Sequence, residues 1–495
     1  MDIHVFEVGP FTGNVSQNNI RVWGAVKKEH MILPCYGYVR WKEHCDCGYH
    51  DACETHPFSA STFGISNHFD GTGICDIRGL KANARYLIQI CYSILDMGTS
   101  EVQWPEDNYS YCTSITSPST GSPHETTFVF GSCRDQGPGF DGDSDETFNT
   151  INRLIKNGEI EPPDMLWMCG DQIYIDRPTG LSTNGYEKFT DLYRKQFTET
   201  EFSKLMKTTP AYLQMDDHEV ENDWSYAKMQ LSEKDKKALH NGMRSYNAYQ
   251  ASLCATFSSE EEFLSYPLPA PYLNKYWYKV DRHDSSFFVM DVRYDRGEAS
   301  DTDKLETWRL GASSPTSVQL DELENWISSS DRDNKVNFIV TSVPFLVDPK
   351  RWSWRFMGLV NISLRHTRKE LWYANTKERN RILETIEASD AHFIFLSGDV
   401  HCSFVVSMLT RNGKRIHNVV SSAFNWMSPG LARGDFNWSN LRNCPHQAGS
   451  INLINNYVEY KNNFAYLKVS DSGHIEVKII KGKTGDCEFE EKISL

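Results

Sequence analysis

Cys133, Asp171, Tyr174, Asp217, Asp399 and His401 carry a thiol, three carboxylates, a phenol and an imidazole. They fall in four short runs: Gly131-Ser-Cys133-Arg134, Gly170-Asp171-Gln-Ile-Tyr174, Asp216-Asp217-His218-Glu219 and Gly398-Asp399-Val-His401. Such groups meet at metal ions. Carboxylate oxygen suits hard cations, imidazole suits borderline ones, and thiolate and phenolate suit ferric iron or zinc. Asp171 and Tyr174 are three apart, so both can face one ion if the loop turns there. Asp399 and His401 are two apart, which in an extended segment puts them on one face. One aspartate shared between two ions, with other ligands capping each, is the plan of two-metal phosphoester chemistry. A hydrolytic metalloenzyme is therefore the leading reading. Each run alone has a plainer explanation: a turn, a small buried cysteine, a core histidine or an acidic helix start. Their ordered recurrence argues for a shared site.

The elements that must position these groups are legible beside them. Each run follows an apolar stretch, TTFVF, DMLW, PAYLQ or AHFIF. Buried strands end this way, and open α/β sheets carry their chemistry outside the carboxyl ends of strands. A helix is expected from about Asp145 to Lys156, with Phe148, Ile151, Leu154 and Ile155 on one face. Thr316-Ser-Val-Gln319 resembles a capping box that opens a second helix. A third is expected after Thr376. Residues 1 to about 120 alternate like the strands of a small β-sandwich. The Ser/Thr/Pro-rich stretch Thr113–Glu125 reads as a linker. The fold expected is α/β: a two-sheet α/β/β/α domain over 126–495, preceded by a small fibronectin III-like sandwich over 1–120.

The chain has 495 residues, 39% hydrophobic and 13% aromatic, enough for large cores. Its net charge of −15 argues against a broad nucleic-acid-binding surface. No stretch approaches the length of a transmembrane helix. No basic-then-apolar leader opens the chain, and the thirteen cysteines are scattered, so a cytoplasmic location with reduced thiols is expected. The sequence assigns no oligomeric state.

At the four runs the chain resembles the alkaline phosphatase D (PhoD-like) family of metallophosphoesterases, relatives of purple acid phosphatases and calcineurin-like enzymes. The matching pieces are Gly-Ser-Cys133, Gly-Asp171-Gln-Ile-Tyr174-Ile-Asp176, Asp216-Asp217-His218-Glu219-Val-Glu-Asn222-Asp223-Trp224, Met290-Asp291-Val-Arg293 and Gly-Asp399-Val-His401. The chain departs from the family near Leu371-Trp372-Tyr373, where acidic residues usually flank the tryptophan. The resemblance implies ferric iron beside calcium or another divalent ion, and the ligand chemistry also admits zinc. Cys133, Tyr174 and His401 would bind the iron, Asp171 would bridge, and Asp217 and Asp399 would bind the second ion. The implied activity is hydrolysis of small-molecule phosphomonoesters or phosphodiesters by a metal-bound hydroxide. Phospholipase D-like cleavage of lipid diesters and a catalytically silent metal scaffold are the alternatives.

His218 is the candidate for protonating the leaving oxygen, because an imidazole can do so near neutral pH. Arg134 would hold a phosphate oxygen or form a plain salt bridge. Asp176 and Asn222 are expected to orient ligands, and Asp291 with Arg293 could form a buried ion pair. Two further features stand apart. Cys45, Cys47, His50, Cys53 and His56 form a dense cluster whose spacing fits no standard zinc pattern. Residues 345–373 mix tryptophans with basic residues, as a lid over the site or a packing insertion would.

Overall fold

The computed structural model describes residues 3–44, 57–104, 109–119, 122, 124–135, 145–176, 185–266, 272–273, 275–298, 308–310, 318–329, 335–347, 372, 375–426, 444–446 and 449–494. Two sheets pack face to face around the site. In the first, Thr126–Gly131, Met165–Cys169 and Ala211–Gln214 run parallel, and the C-terminal strands Asn463–Val469, Ile475–Lys481 and Cys487–Ile493 extend it antiparallel. In the second, Ser285–Val289, Val336–Val340, Phe393–Ser397 and Arg415–Val420 run parallel, with antiparallel strands at both edges. Strands Thr126–Gly131, Met165–Cys169, Ser285–Val289, Val336–Val340 and Phe393–Ser397 are fully buried, which is why they read as short, mainly apolar runs.

Aromatic rings fill the space between the sheets. Phe128 packs edge-on to Phe287 and Phe338, and Trp167 stacks on Phe287 at 4.6 Å. Helices cover the outer faces. Glu146–Lys156 buries Phe148, Ile151 and Leu154 on the first sheet's side, the face its spacing predicts. On the second, Leu323 and Ile327 of helix Gln319–Ile327 pack with Ile382, Leu383 and Ile386 of helix Thr376–Ala388. This is the two-sheet α/β architecture expected. No described helix is long and apolar enough to cross a membrane.

The N-terminal strands, from Ile3 to Ile115, form antiparallel sheets joined by Ser59–Ser66, which pairs with Tyr36–Glu43 along most of its length and with Thr72–Arg78 at its end. One local expectation needs correction. Thr113–Ile115 is not linker but the end of strand Ser110–Ile115, paired with Arg85–Ser93. Polarity misled there because Tyr111 faces solvent while Cys112 and Ser114 are buried. Thr316, which would open the expected capping box, lies outside the described residues, and Gln319 at its other end is engaged elsewhere. Its amide accepts the Asp291 N–H at 2.7 Å and donates to the Asp291 carbonyl and Asp295 carboxylate. Trp372 packs in the core beside Phe345 and donates to Thr341 Oγ1 at 3.0 Å. The rest of segment 348–371 and the Cys45–His56 cluster lie outside the described residues.

Candidate metal centre

Six parallel strands deliver the site by one rule. The strands ending at Gly131, Cys169, Gln214, Val289, Ser397 and Val420 place Cys133, Asp171, Asp216, Asp291, Asp399 and Ser422 two residues beyond their last paired residue. At three of these rim positions, and at His401, the chain takes unusual backbones. Cys133, Asp171, Asp399 and His401 have φ of 59°, 59°, 68° and 49°. Left-handed backbone is uncommon outside glycine and concentrates at functional sites. Asp399 and His401 are therefore not on an extended segment, as their spacing suggested; a tight turn brings them in.

Three sets of side chains converge, and each contains Asp171. Cys133, Asp171 and His401 form one; Asp171, Asp217 and His218 the second; Asp171, Asp216, Asp217 and Asp399 the third, with ligand atoms in each set within 4.8 Å of one another. The Asp171 Oδ2 atom faces Cys133 Sγ at 3.4 Å and Tyr174 Oη at 3.0 Å. Tyr174 Oη also lies 3.4 Å from His401 Nε2. Soft and aromatic donors thus gather on one side of Asp171, and carboxylates gather on the other. Trp426 stacks on His401 at 3.7 Å and closes the soft side.

Glu219, quoted in its run but given no role by sequence reasoning, ties the loops together. Its buried carboxylate accepts backbone N–H groups from Asp171 at 3.2 Å, Gln172 at 2.7 Å and Asp216 at 3.0 Å. Gln250 adds a fourth bond at 3.1 Å. Gly170 makes this possible with a left-handed φ of 92°; a Cβ there would meet Asp216 Cβ at 2.4 Å. Arg293 is the second element missed. Asp291 is not its ion partner, because that carboxylate accepts the backbone N–H groups of Arg293, Tyr294 and Asp295. The Arg293 guanidinium instead pairs with Asp216 at 2.5 Å and lies 3.7 Å from Asp217.

Arg134 also differs from expectation. It is fully buried, bonded to the Gln196 carbonyl at 2.9 Å and Asp145 at 2.8 Å, and stacked on Phe202. It forms the plain salt bridge, and the phosphate-holding role is withdrawn because its charge is committed inside the protein. His218 sits at the rim. Its Nδ1 is 2.7 Å from Asp176, whose other oxygen accepts the Asn222 N–H, and its ring packs on Tyr174.

The electrostatics suit cations. Burial, with the neighbouring Asp217 and Asp216 adding to it, drives the Asp171 carboxyl well above the usual range despite His218. Burial does the same to Asp399, Cys133 and Tyr174. Burial would also raise Asp217, but Arg293 and His218 outweigh it and hold that carboxyl low. Burial pushes His401 down to about 3, leaving a neutral imidazole fit for coordination. Asp216 Oδ2 and Asp217 Oδ1 are buried without a hydrogen-bond partner. Orphaned buried oxygens are costly, and a cation both satisfies them and converts buried acids to anions. The residues present fit metal ions.

Comparisons with known proteins identify the family and the fold. Residues 128–485 match the PhoD-like phosphatase family. The chain belongs to that family. Its fold is similar to a solved structure of PhoD, with TM-score 0.67 at 14% identity over 99% of this chain and 92% of that one. It is also similar to purple acid phosphatase PPD1 from yellow lupin (Lupinus luteus) seeds, with TM-score 0.60 at 12% identity over 98% of this chain and 74% of that one. No curated protein matches by sequence. As a member of the family the chain is a phosphoric ester hydrolase.

Proposed function

We propose that the chain hydrolyses small-molecule phosphate esters, mono- or diesters, at a two-metal centre bridged by Asp171. The observation that carries this is the presence of Asp171 in all three converging ligand sets. Cys133, Tyr174 and His401 would hold one ion, ferric iron by their donor type; Asp217 and Asp399 would hold a divalent ion such as calcium. When bound, the cations would neutralise phosphate oxygens and lower the pKa of a coordinated water.

The chain's own residues supply the rest. Burial would lower His218, but Asp217, Asp171 and Asp176 outweigh it and hold the ring well above its ordinary pKa. A charged ring at the rim is a proton donor for the departing oxygen. Asp176 fixes that ring by accepting from Nδ1, which leaves Nε2 as the nitrogen that would donate. Glu219 holds the Asp171 and Asp216 loops in register, and Arg293 offsets part of the acidic charge. The complete ligand set favours a working enzyme over a silent scaffold. Assays of the purified protein on nitrophenyl mono- and diesters test the reading. Turnover of at least one, lost on chelation, is expected. No turnover of either, in protein of full metal content, would contradict it.

A further inference from the structure

The Cys133 sulfur is held between two serine hydroxyls. Ser422 Oγ donates to Sγ at 3.1 Å, and Ser132 Oγ lies 3.2 Å from it. Each hydroxyl also takes an amide hydrogen from the loop that carries the opposing ligands. Ser132 Oγ accepts the Asp399 N–H at 3.1 Å, and Ser422 Oγ accepts the His401 N–H at 3.0 Å. Both serines are fully buried, and Ser422 stands two residues past its strand, in line with the ligands themselves.

The bookkeeping of hydrogens gives these contacts direction. A hydroxyl has one hydrogen to give and two lone pairs to receive. Ser422 receives from His401 N–H, so its hydrogen is free to point at sulfur. Ser132 receives from Asp399 N–H, and its hydrogen is shared between the sulfur and the Ser421 carbonyl at 3.4 Å. The backbone amides thus orient both hydroxyls toward Sγ. Donors aimed at a coordinating sulfur draw density from it and tune the metal it binds.

We infer that Ser422 and Ser132 are positioning residues that set the donor strength of the Cys133 sulfur and couple it to the Asp399–His401 loop. The inference rests on the reading of Cys133 as a metal ligand. Because the same hydroxyls hold both sides, a change in the sulfur's bonding reaches Asp399 and His401 without any ligand being altered.

Cobalt(II) is the probe. The full chain is stripped of metal, loaded with cobalt(II), and its near-ultraviolet sulfur-to-cobalt band recorded beside its visible bands. Cys133→Ser identifies the sulfur band by abolishing it. Ser422→Ala is expected to move that band to lower energy, because losing a donor raises the sulfur lone pairs. Ser132→Ala should move it in the same direction by less, since its hydrogen is shared. Ser422→Thr, which keeps the hydroxyl, should restore the native position, and circular dichroism identifies variants that retain the native fold. A band that Cys133→Ser abolishes but that stays fixed in folded Ser422→Ala and Ser132→Ala protein would overturn the inference and leave the ligand reading intact. A native spectrum that Cys133→Ser leaves unchanged would remove the sulfur as a ligand, and the inference with it.

Discussion

His218 binds Asp176 through Nδ1 and packs its ring on Tyr174, which leaves Nε2 outside that bond. If that nitrogen serves the departing oxygen, His218→Ala should lose most activity on alkyl esters. Nitrophenyl esters, whose leaving oxygen needs little protonation, should suffer less. General-acid help is worth roughly 10²–10⁴-fold, so the gap between ester classes should be large in kcat/KM. Equal losses on both classes would assign the ring to ligand support instead. The residue types and order of the rim were readable in the sequence, because Cys, Asp, Tyr and His recur after apolar runs. The roles of Glu219 and Arg293 were not. Glu219 reaches the backbone amides of Asp171 and Gln172 in another loop, and Arg293 crosses from the second sheet to Asp216. Neither bond has a spacing that a linear chain can display. Arg134 failed for a related reason: adjacency to Cys133 says nothing of direction, and its side chain runs inward to Asp145.

At the scale of elements, the loops past each strand carry the strain. Gly170 precedes Asp171 with φ of 92°, and a methyl group there would collide with Asp216. Gly170→Ala should therefore separate the two loops, lowering metal content and costing roughly 1–3 kcal/mol by denaturant titration. Unchanged stability and metal content would show that the loops can shift freely. A second tie joins strand Thr126–Gly131 to its surroundings. Burial would raise Asp164, but His124, Arg282 and the Thr127 N–H outweigh it and bring its pKa down to about 2. A carboxylate whose folded pKa lies below its unfolded value of about 3.9 contributes stability above that value and loses it as pH falls toward the folded one. Asp164→Asn should cost about 2 kcal/mol at pH 7, with the difference shrinking between about pH 4 and pH 2. A pH-independent difference would contradict the ion-pair account. Helix and strand positions followed from the periodicity of apolar residues. The ends of elements followed less well, as at Ser110–Ile115, whose alternation is carried by Cys112 and Ser114 rather than by large apolar groups.

Across the whole molecule, the N-terminal sheets have an apolar cluster of their own but also contribute to the main core. Val8, Phe11 and Trp23 belong to the same apolar cluster as Phe197 and Tyr249, and Trp23 lies 5.6 Å from Tyr249. Arg21 is fully buried and donates to the Cys254 and Phe257 carbonyls, while Arg194 reaches back to Asp70 at 2.9 Å. A change of texture near residue 120 is visible in the sequence, but this shared packing is not, since it pairs residues more than a hundred positions apart. A fragment beginning at Thr126 should therefore be aggregated or uncooperative in thermal unfolding. A soluble fragment with a sharp transition would show the sandwich to be dispensable. The central claim concerns Asp171, the one carboxylate common to every ligand set. Elemental analysis of native protein and Asp171→Asn, purified side by side and checked for fold by circular dichroism, tests it most directly. The account predicts about two metal ions per native chain and a folded variant that has lost most of both, as a bridging ligand requires. A folded variant that keeps the native metal content would contradict it.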